Sequence, residues 1–399
     1  MKKIALGISS SISIYKACDI IRLFQQEGYQ VRVIMTRKAT NFINPYLFTA
    51  LTGERTIVEL FDEEQRPIEH ISLVDEVALY LIAPATANVI GKLASGVADD
   101  FLTTFYLATK SPVLIAPAMN EGMFLHPQTQ ENIRKLKSLG VEFVEPEAGY
   151  LACGKKGTGR LAASETIVVQ GLRLIRSKEI FKDKVVLITA GPTREFLDPV
   201  RFMSNPSSGK MGYELAREAY ELGAEVILIS GPVNLNPPPG VFCEKVISAD
   251  EMRQAVLRHF DRSQVVVMAA AVADFKFKEI FSDKVKKEKV GPTLNVEKTP
   301  DILAELGEKK REQLLVGFAA ETSDTLEKAA QKMKQKKVDL MVANNVSAEE
   351  VGFAAEDNEV WVIWPDGRKK LIPKQSKRKI SREIFSEIEV LLERQKGNT

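Results

Sequence analysis

Cysteine is scarce: three occur in 399 residues, and Cys18, Cys153 and Cys243 stand far apart. That spacing excludes a disulfide framework and a zinc cluster, and it fits a reducing, cytoplasmic setting. Excess charge is lacking too. Lys and Arg number 55 against 53 Asp and Glu, a net charge of +2. No general field for nucleic acid or for an anionic membrane follows, so any anion must be bound locally. The longest apolar run, Val265 to Ala273, is far too short to span a bilayer. The opening Met1-Lys-Lys-Ile-Ala-Leu has the look of a signal peptide, but Ser9, Ser10, Ser11 and Ser13 interrupt it and Lys16 and Asp19 follow. A first β-strand is the better reading. Short repeats and low-complexity tracts are missing; the nearest is the rigid Pro237-Pro-Pro-Gly240. Two nucleotide signatures are missing as well. The turn after the first strand lacks the dinucleotide glycine pattern. Gly209-Lys210 invites a P-loop, but Ser204 stands where glycine is needed and Met211 where a hydroxyl is needed.

What is present is a soluble globular composition, 45% hydrophobic and 27% charged. The length is too great for one ordinary core. The chain begins twice. Lys3-Ile-Ala-Leu-Gly-Ile8 is a buried-type strand that leads into a serine turn and a helix, and Lys184-Val-Val-Leu-Ile-Thr-Ala-Gly191 is a second such strand. The boundary is expected near Lys178, giving domains 1–178 and 179–399. In the first half, strands are expected at Gln30–Met35, Val77–Ala83, Pro112–Ala116 and Val141–Val144, with amphipathic helices at Ile12–Glu27 and Gln128–Leu139. In the second, they are expected at Glu225–Ile229, Gln264–Ala269, Leu314–Gly317 and Leu340–Ala343, followed by a hairpin around Pro365-Asp-Gly367. Short β-branched runs separated by helices predict parallel sheets covered on both faces. The fold class is therefore α/β: two doubly wound three-layer domains in tandem, with ligands at the carboxyl ends of the strands.

Several segments carry chemistry. Gly149-Tyr-Leu-Ala-Cys-Gly-Lys-Lys-Gly-Thr-Gly-Arg160 sets one thiol among four glycines and three cations. It is expected to be a mobile loop, and its cations favour a thiolate. Read alone, the cysteine is as well explained as incidental. The serines of Gly7-Ile-Ser-Ser-Ser-Ile-Ser-Ile-Tyr-Lys16 suit a phosphate at a helix N-terminus or plain helix capping. Asn88 and the pair Asp99-Asp100 could orient a heterocycle, or the carboxylates could be a solvated helix start. In the second half, Ser207-Ser-Gly209 opens a helix where phosphate oxygens can bind. Lys332 and Lys336 are spaced to share a helix face, although such a run alone reads as a solvated surface.

The first half resembles the homo-oligomeric flavin-containing cysteine decarboxylases. The motifs occur in order: the serine turn ending in Tyr15-Lys16, Met35-Thr36, His70-Ile-Ser-Leu73, Ala83-Pro-Ala-Thr-Ala-Asn88, Pro117-Ala-Met-Asn-Glu-Gly-Met123 and Leu151-Ala-Cys-Gly-Lys-Lys-Gly-Thr-Gly-Arg160. Two departures are visible. Ser10 and Ser11 stand where glycine is common, and Phe124 where tryptophan often follows the methionine. The resemblance implies FMN held by Ser9, Ser10, Ser11, Thr36, Ala85, Thr86 and Asn88. It implies decarboxylation of 4′-phosphopantothenoylcysteine to 4′-phosphopantetheine. In that chemistry His70 would assist thiol oxidation, Asn120 would hold the substrate carboxylate beside Met119, and Cys153 would donate the final proton. His126 and His259 are read as ordinary polar residues.

The second half resembles the bacterial phosphopantothenate–cysteine ligases, through Gly191-Pro-Thr-Arg-Glu195, Asp198 to Gly212, Ala269-Ala-Ala-Val-Ala-Asp-Phe275, Lys284-Val-Lys-Lys287, Thr299-Pro-Asp-Ile-Leu303 and Gly317-Phe-Ala-Ala-Glu-Thr322. That family activates 4′-phosphopantothenate with CTP as an acyl-cytidylate, which L-cysteine then attacks. The resemblance implies CTP surrounded by Asp274, Phe318, Lys332, Lys336 and the backbone of Pro300, Asp301, Ile302 and Leu303. Asn205 would orient the acyl intermediate, Lys284 would assist activation, and Arg201 and Ala271 would meet substrate. Mg2+ is expected on the triphosphate. Together the resemblances imply two successive steps of coenzyme A synthesis on one chain, in an assembly built from trimers. The rivals are a peptidyl-cysteine decarboxylase fused to a nucleotide module, and a non-enzymatic regulatory protein on the same fold.

Overall fold

The computed structural model describes residues 2–61, 69–150, 154, 156–286, 293–321, 331–345 and 357–397. The chain divides into two compact units, Met1–Arg176 and Ser177–Thr399. Among the described residues, no helix is long and apolar enough to cross a membrane.

The first unit is built on β1 (Lys3–Ile8), β2 (Gln30–Met35), β3 (Val77–Ala85), β4 (Val113–Pro117) and β5 (Glu142–Phe143). They form one sheet in the order β2-β1-β3-β4-β5, every pair parallel. Nearly all residues of β1 and β3 are buried, because helices cover both faces. One face packs against α1 (Ala17–Gln26) and α8 (Ser164–Arg176) through Ile20, Ile21, Phe24, Ile167 and Leu172. The other takes α4 (Ala87–Ser95), α5 (Phe101–Ala108) and α7 (Pro127–Ser138) through Val89, Ile90, Phe101, Phe105 and Ile133. Smaller helices are α2 (Tyr46–Thr52), α3 (Glu69–Ser72) and α6 (Glu121–Phe124). Strand order reverses between β1 and β3, so the ligand crevice of this unit lies at their carboxyl ends.

The glycine-rich segment expected to be a mobile loop differs from that reading. Its described residues pair as a hairpin, β6 (Glu147–Tyr150) with β7 (Lys156–Arg160). Its glycines serve close approach. A Cβ on Gly159 would lie 2.3 Å from the Met119 carbonyl oxygen, and one on Gly157 would lie 2.6 Å from Cδ of Glu121.

The second unit carries β8 (Val185–Ala190), β9 (Arg194–Phe196), β10 (Phe202–Ser204), β11 (Glu225–Ser230), β12 (Phe242–Lys245), β13 (Val265–Met268), β14 (Phe275–Phe277), β15 (Val296–Lys298), β16 (Leu314–Glu321), β17 (Leu340–Asn345), β18 (Asp357–Ile363) and β19 (Lys369–Ser376). Eight of them form one sheet in the order β12-β11-β8-β13-β16-β17-β18-β19. From β12 to β17 the pairs are parallel; β18 and β19 add an antiparallel edge. Taken by sequence, the parallel part is the doubly wound 3-2-1-4-5-6 order, whose crevice opens between β8 and β13.

One face of this sheet is covered by α9 (Lys210–Glu221) and α13 (Lys377–Gly397), through Leu215, Ala216, Ile380, Ile384 and Phe385. The other is covered by α10 (Ala249–Phe260), α11 (Ile302–Lys309) and a helix, α12, described over 331–335. Helix α9 sits very close to β8: a Cβ on Gly212 would come 2.5 Å from the Ala190 Cβ. Two antiparallel ribbons, β9–β10 and β14–β15, were not expected from the sequence.

Candidate functional site

In the first unit, the carboxyl ends of β1, β2 and β3 bring Ser9, Thr36 and Thr86 to one crevice. The Ser9 hydroxyl, 1% exposed, donates to the Pro84 carbonyl at 2.7 Å and accepts from the Thr86 N–H at 3.0 Å. It therefore locks the two strand ends together across the switch point. Ser11 caps the following 3-10 turn, accepting from the Ser13 N–H, and that turn runs directly into α1. Ser10 is half-buried on the same turn. Thr36 presents a contrast, because its Oγ1 is buried with no hydrogen-bond partner. A buried hydroxyl without a partner costs free energy on the order of 1–3 kcal/mol, so this group is available to a ligand. Thr86 caps α4, Ala85 is fully buried and Asn88 is exposed on the first turn of α4.

Asp99 and Asp100 form a helix start. Asp99 pairs with Lys92 at 2.6 Å, and Asp100 forms a capping box with Thr103 at the start of α5. Lys16 ties the turn to the segment before α8. Its ammonium donates to the carbonyls of Leu161 and Ala162 at 3.0 and 3.4 Å, and burial, followed by the nearby Arg160, pulls its pKa down.

The Asn120 segment is fastened to the hairpin. The Met119 N–H donates to the Gly159 carbonyl at 2.9 Å, and the Thr158 N–H donates to the Glu121 carboxylate at 2.9 Å. Asn120 caps α6 by accepting from the Gly122 N–H, with its residue exposed at the strand end. His70 lies in α3. Cys153 lies outside the described residues, between Tyr150 and Lys156, which pair with each other. His126 caps α7 through Nδ1, and His259 lies 2.9 Å from Glu244.

In the second unit a cavity of about 670 Å3 opens at the carboxyl edge of the sheet. It is where the doubly wound order places a ligand. Asn205, Ala271, Asp274, the run Pro300 to Leu303, Phe318, Lys332 and Lys336 all line it. Residues more than 100 positions apart are thus gathered at one wall. Gly209, with φ of 76°, turns the chain into α9, whose first residues line the cavity with Ser207 and Ser208. The Asn205 amide donates to the carbonyls of Ala271 and Val272 at 3.2 and 3.0 Å, which fixes its side chain on the cavity wall. Asp301 caps α11 and also pairs with Lys336 at 2.9 Å. Behind it, Arg253 grips Glu305 of α11 side-on, at 2.6 and 2.8 Å. Arg253 first, and then Lys309, hold the Glu305 carboxyl at about 2.

Arg201 and Lys284 are not part of this lining. Arg201 binds Asp198 side-on through Nε and Nη2 and donates to the Val285 carbonyl at 2.8 Å. Its guanidinium thus holds the segment that carries the exposed Lys284. The sequence does not show this tie, because nothing local marks a partner 84 positions away. Asn344, Asn358 and Lys377 also line the cavity, and nothing in the sequence marks them.

Asp198 yields a pH prediction. Its buried carboxylate accepts from Arg201 and from the backbone N–H groups of Val200, Arg201 and Val285. The Arg201 guanidinium, aided by these N–H groups, lowers its pKa far below the ordinary carboxylate range. A folded value below the unfolded one stabilises the fold above about pH 4, and that contribution is lost as pH falls through the folded value. Asp198→Asn should lower the unfolding temperature of the second unit at neutral pH and flatten its loss on acidification. Calorimetry of the full chain from about pH 7 to pH 3 measures both; curves parallel to the wild type would contradict this role.

Comparison with known proteins agrees with this division. The family described as Flavoprotein matches residues 1–175, and the DNA/pantothenate metabolism flavoprotein C-terminal domain matches residues 181–391. The coenzyme A biosynthesis bifunctional protein CoaBC of Bacillus subtilis is 49% identical over 395 residues, covering 98% of this chain and 97% of the relative. The protein of the same description from Escherichia coli is 39% identical over 392 residues, covering 97% and 96%. A crystal structure of the C-terminal domain of such a protein is 44% identical, covers 54% of this chain and 99% of its own, and has a TM-score of 0.47. The chain belongs to the family of coenzyme A biosynthesis bifunctional proteins.

Proposed function

We propose that residues 1–178 use FMN to decarboxylate 4′-phosphopantothenoylcysteine, and that residues 179–399 make that substrate from 4′-phosphopantothenate, L-cysteine and CTP. As a member of its family the chain is a bifunctional decarboxylase and ligase. The observation that carries the finer reading is the gathering of Asn205, Ala271, Asp274, Phe318, Lys332 and Lys336 around one cavity. A regulatory protein without ligase activity has no need of that convergence.

In the ligase half, the substrate carboxylate attacks the α-phosphorus of CTP and pyrophosphate leaves. The cysteine amine then attacks the acyl carbon and CMP leaves. Asn205, held by two backbone carbonyls, orients the acyl group. Lys332 and Lys336 offset phosphate charge, Lys336 by sharing its ammonium between Asp301 and the nucleotide. Mg2+ bound with the triphosphate would offset its charge, and Asp274 is an exposed carboxylate of the cavity lining that would help to hold it. Lys284, on the segment that Arg201 holds at Val285, meets the phosphate or acyl region during activation, and Arg201 meets substrate.

In the decarboxylase half, the residues fit a flavin: Thr36 Oγ1 lacks a partner, and the backbone around Ser9, Ser10, Ser11, Ala85, Thr86 and Asn88 meets at the β1–β3 crevice. Bound FMN supplies a two-electron acceptor for the substrate thiol, the electron sink that decarboxylation requires. Asn120 holds the departing carboxylate beside Met119. His70 takes the thiol proton, and Cys153 returns a proton to the product. FMN is carried by residues 1–178 themselves, and the assembly is built from trimers in the cytoplasm.

The test is mass analysis of products after incubation with 4′-phosphopantothenate, cysteine, CTP and Mg2+. 4′-Phosphopantetheine, CMP, pyrophosphate and CO2 are expected. Equal turnover with ATP, or no CMP, would overturn the ligase assignment.

A further inference from the structure

Lys336 is held at two points by one neighbouring helix. Its ammonium pairs with Asp301, the residue that caps α11, at 2.9 Å. Its carbonyl lies against Gly307, further along the same helix. A Cβ at Gly307 would come 1.9 Å from that carbonyl oxygen and 2.8 Å from the carbonyl carbon. No side-chain carbon approaches backbone so closely, so only glycine admits the contact. Between the two points α11 is itself anchored, because Arg253 grips Glu305 side-on. The Lys336 side chain therefore runs along α11 from Gly307 toward the helix amino terminus, and Lys336 lines the cavity.

The turn that delivers Lys336 points the same way. The Lys336 N–H donates to the Lys332 carbonyl at 2.9 Å, and the Val338 N–H reaches back to the Met333 carbonyl at 3.1 Å. Between them Lys337 takes φ of 50°, the left-handed conformation that glycine usually supplies at a helix end. A residue with a side chain is strained there, and such strain persists only where the surroundings hold it. Gly307 belongs to those surroundings, since a Cβ on it would also stand 3.5 Å from Cβ of Lys337. Lys337 itself is exposed and lies outside the cavity lining.

We propose that Gly307 is a positioning residue for the nucleotide. By taking the Lys336 carbonyl against α11, it lays the lysine along that helix and fixes its ammonium at the cavity wall, where the polyphosphate binds. This rests on the reading of the second unit as a CTP-dependent ligase.

The experiment is titration calorimetry of the full chain with CTP and with CMP, beside ligase rates at varied CTP and varied cysteine. Gly307→Ala favours the helical state, so α11 is retained. The added methyl must push the Lys336 turn off α11. The neighbouring α12 can shift, because Met333 is the one buried residue among those described in it. CTP should weaken about tenfold, as one charge-assisted contact is lost, and CMP less. The KM for CTP should rise and that for cysteine stay unchanged. A double-mutant cycle separates this from a merely structural role: beside Lys336→Gln, Gly307→Ala should cost no more than about a further twofold. Lys337→Gly suits the left-handed turn and should leave CTP affinity within about twofold of the wild type. Unchanged CTP affinity in Gly307→Ala, or an undiminished loss beside Lys336→Gln, would overturn the proposal. If Gly307→Ala loses the unfolding transition of its unit, Lys337→Gly decides, because a large loss of CTP affinity there would assign the charge to Lys337 and overturn the proposal. Absence of CTP binding in the wild type would overturn the ligase reading itself, and this inference with it.

Discussion

Cys153→Ser is expected to release CO2 from 4′-phosphopantothenoylcysteine yet fail to make 4′-phosphopantetheine. Serine is nearly the same size as cysteine but a far weaker acid. If Cys153 supplies only the last proton, the earlier thiol oxidation and decarboxylation proceed without it. The product should then be the enethiol, lighter than the thiol by two hydrogens. General acids contribute on the order of a hundredfold to ten-thousandfold, so the loss of complete turnover should be at least about a hundredfold. Ligase activity should be unchanged, because the other unit performs it. The described flanks are held: Tyr150 pairs with Lys156, and β7 is bound to the Met119–Glu121 segment by the Gly159 carbonyl and the Thr158 N–H. Mass analysis of the product beside CO2 release separates the outcomes. Formation of 4′-phosphopantetheine at the wild-type rate would show that the cysteine is not the donor.

The second large effect concerns Asn205. Its amide nitrogen donates to two carbonyl oxygens, those of Ala271 and Val272. Asn205→Asp replaces that nitrogen with an oxygen of nearly the same size. The carboxylate would then face two acceptors with nothing to donate, and it would also repel the acyl phosphate. Removal of one well-placed polar group from such a site costs about a hundredfold to a thousandfold in rate. Ligation should fall by at least that factor, while decarboxylation of supplied 4′-phosphopantothenoylcysteine should be unchanged. Parallel assays on one preparation measure both. Ligation within about twofold of the wild type would remove Asn205 from the reaction.

How far the sequence could be read depended on the range of the forces involved. Lys3–Ile8 and Val265–Met268 were legible as strands because a sheet buried on both faces demands continuous β-branched and aliphatic runs. The terminal hairpin was legible through Pro365-Asp-Gly367, and Gly367 takes φ of 84°. The ribbons β9–β10 and β14–β15 were not. Their strands have three residues each and contain exposed Phe202, Phe275 and Val296, so no hydrophobic alternation marks them. The β6–β7 hairpin within the loop expected at Gly149–Arg160 was not legible for a related reason. Glycine permits both mobility and close packing, and only the neighbours Met119 and Glu121 decide which applies.

By itself the sequence determined the α/β class, the two-part organisation and the family, because periodicity and ordered motifs are local properties that survive without coordinates. It also named Asn205, Ala271, Asp274, Phe318, Lys332 and Lys336, which line one cavity of the second unit, although their meeting is a property of the fold. Tertiary structure alone decided what each polar group touches. It turned Arg201 toward Asp198 and Val285, engaged Ser9 between two strand ends, left Thr36 Oγ1 without a partner and brought Lys377 to the cavity wall. The physical reason is that hydrogen bonds and charge pairs act over a few ångströms, between residues that strand pairing has brought together from distant parts of the chain.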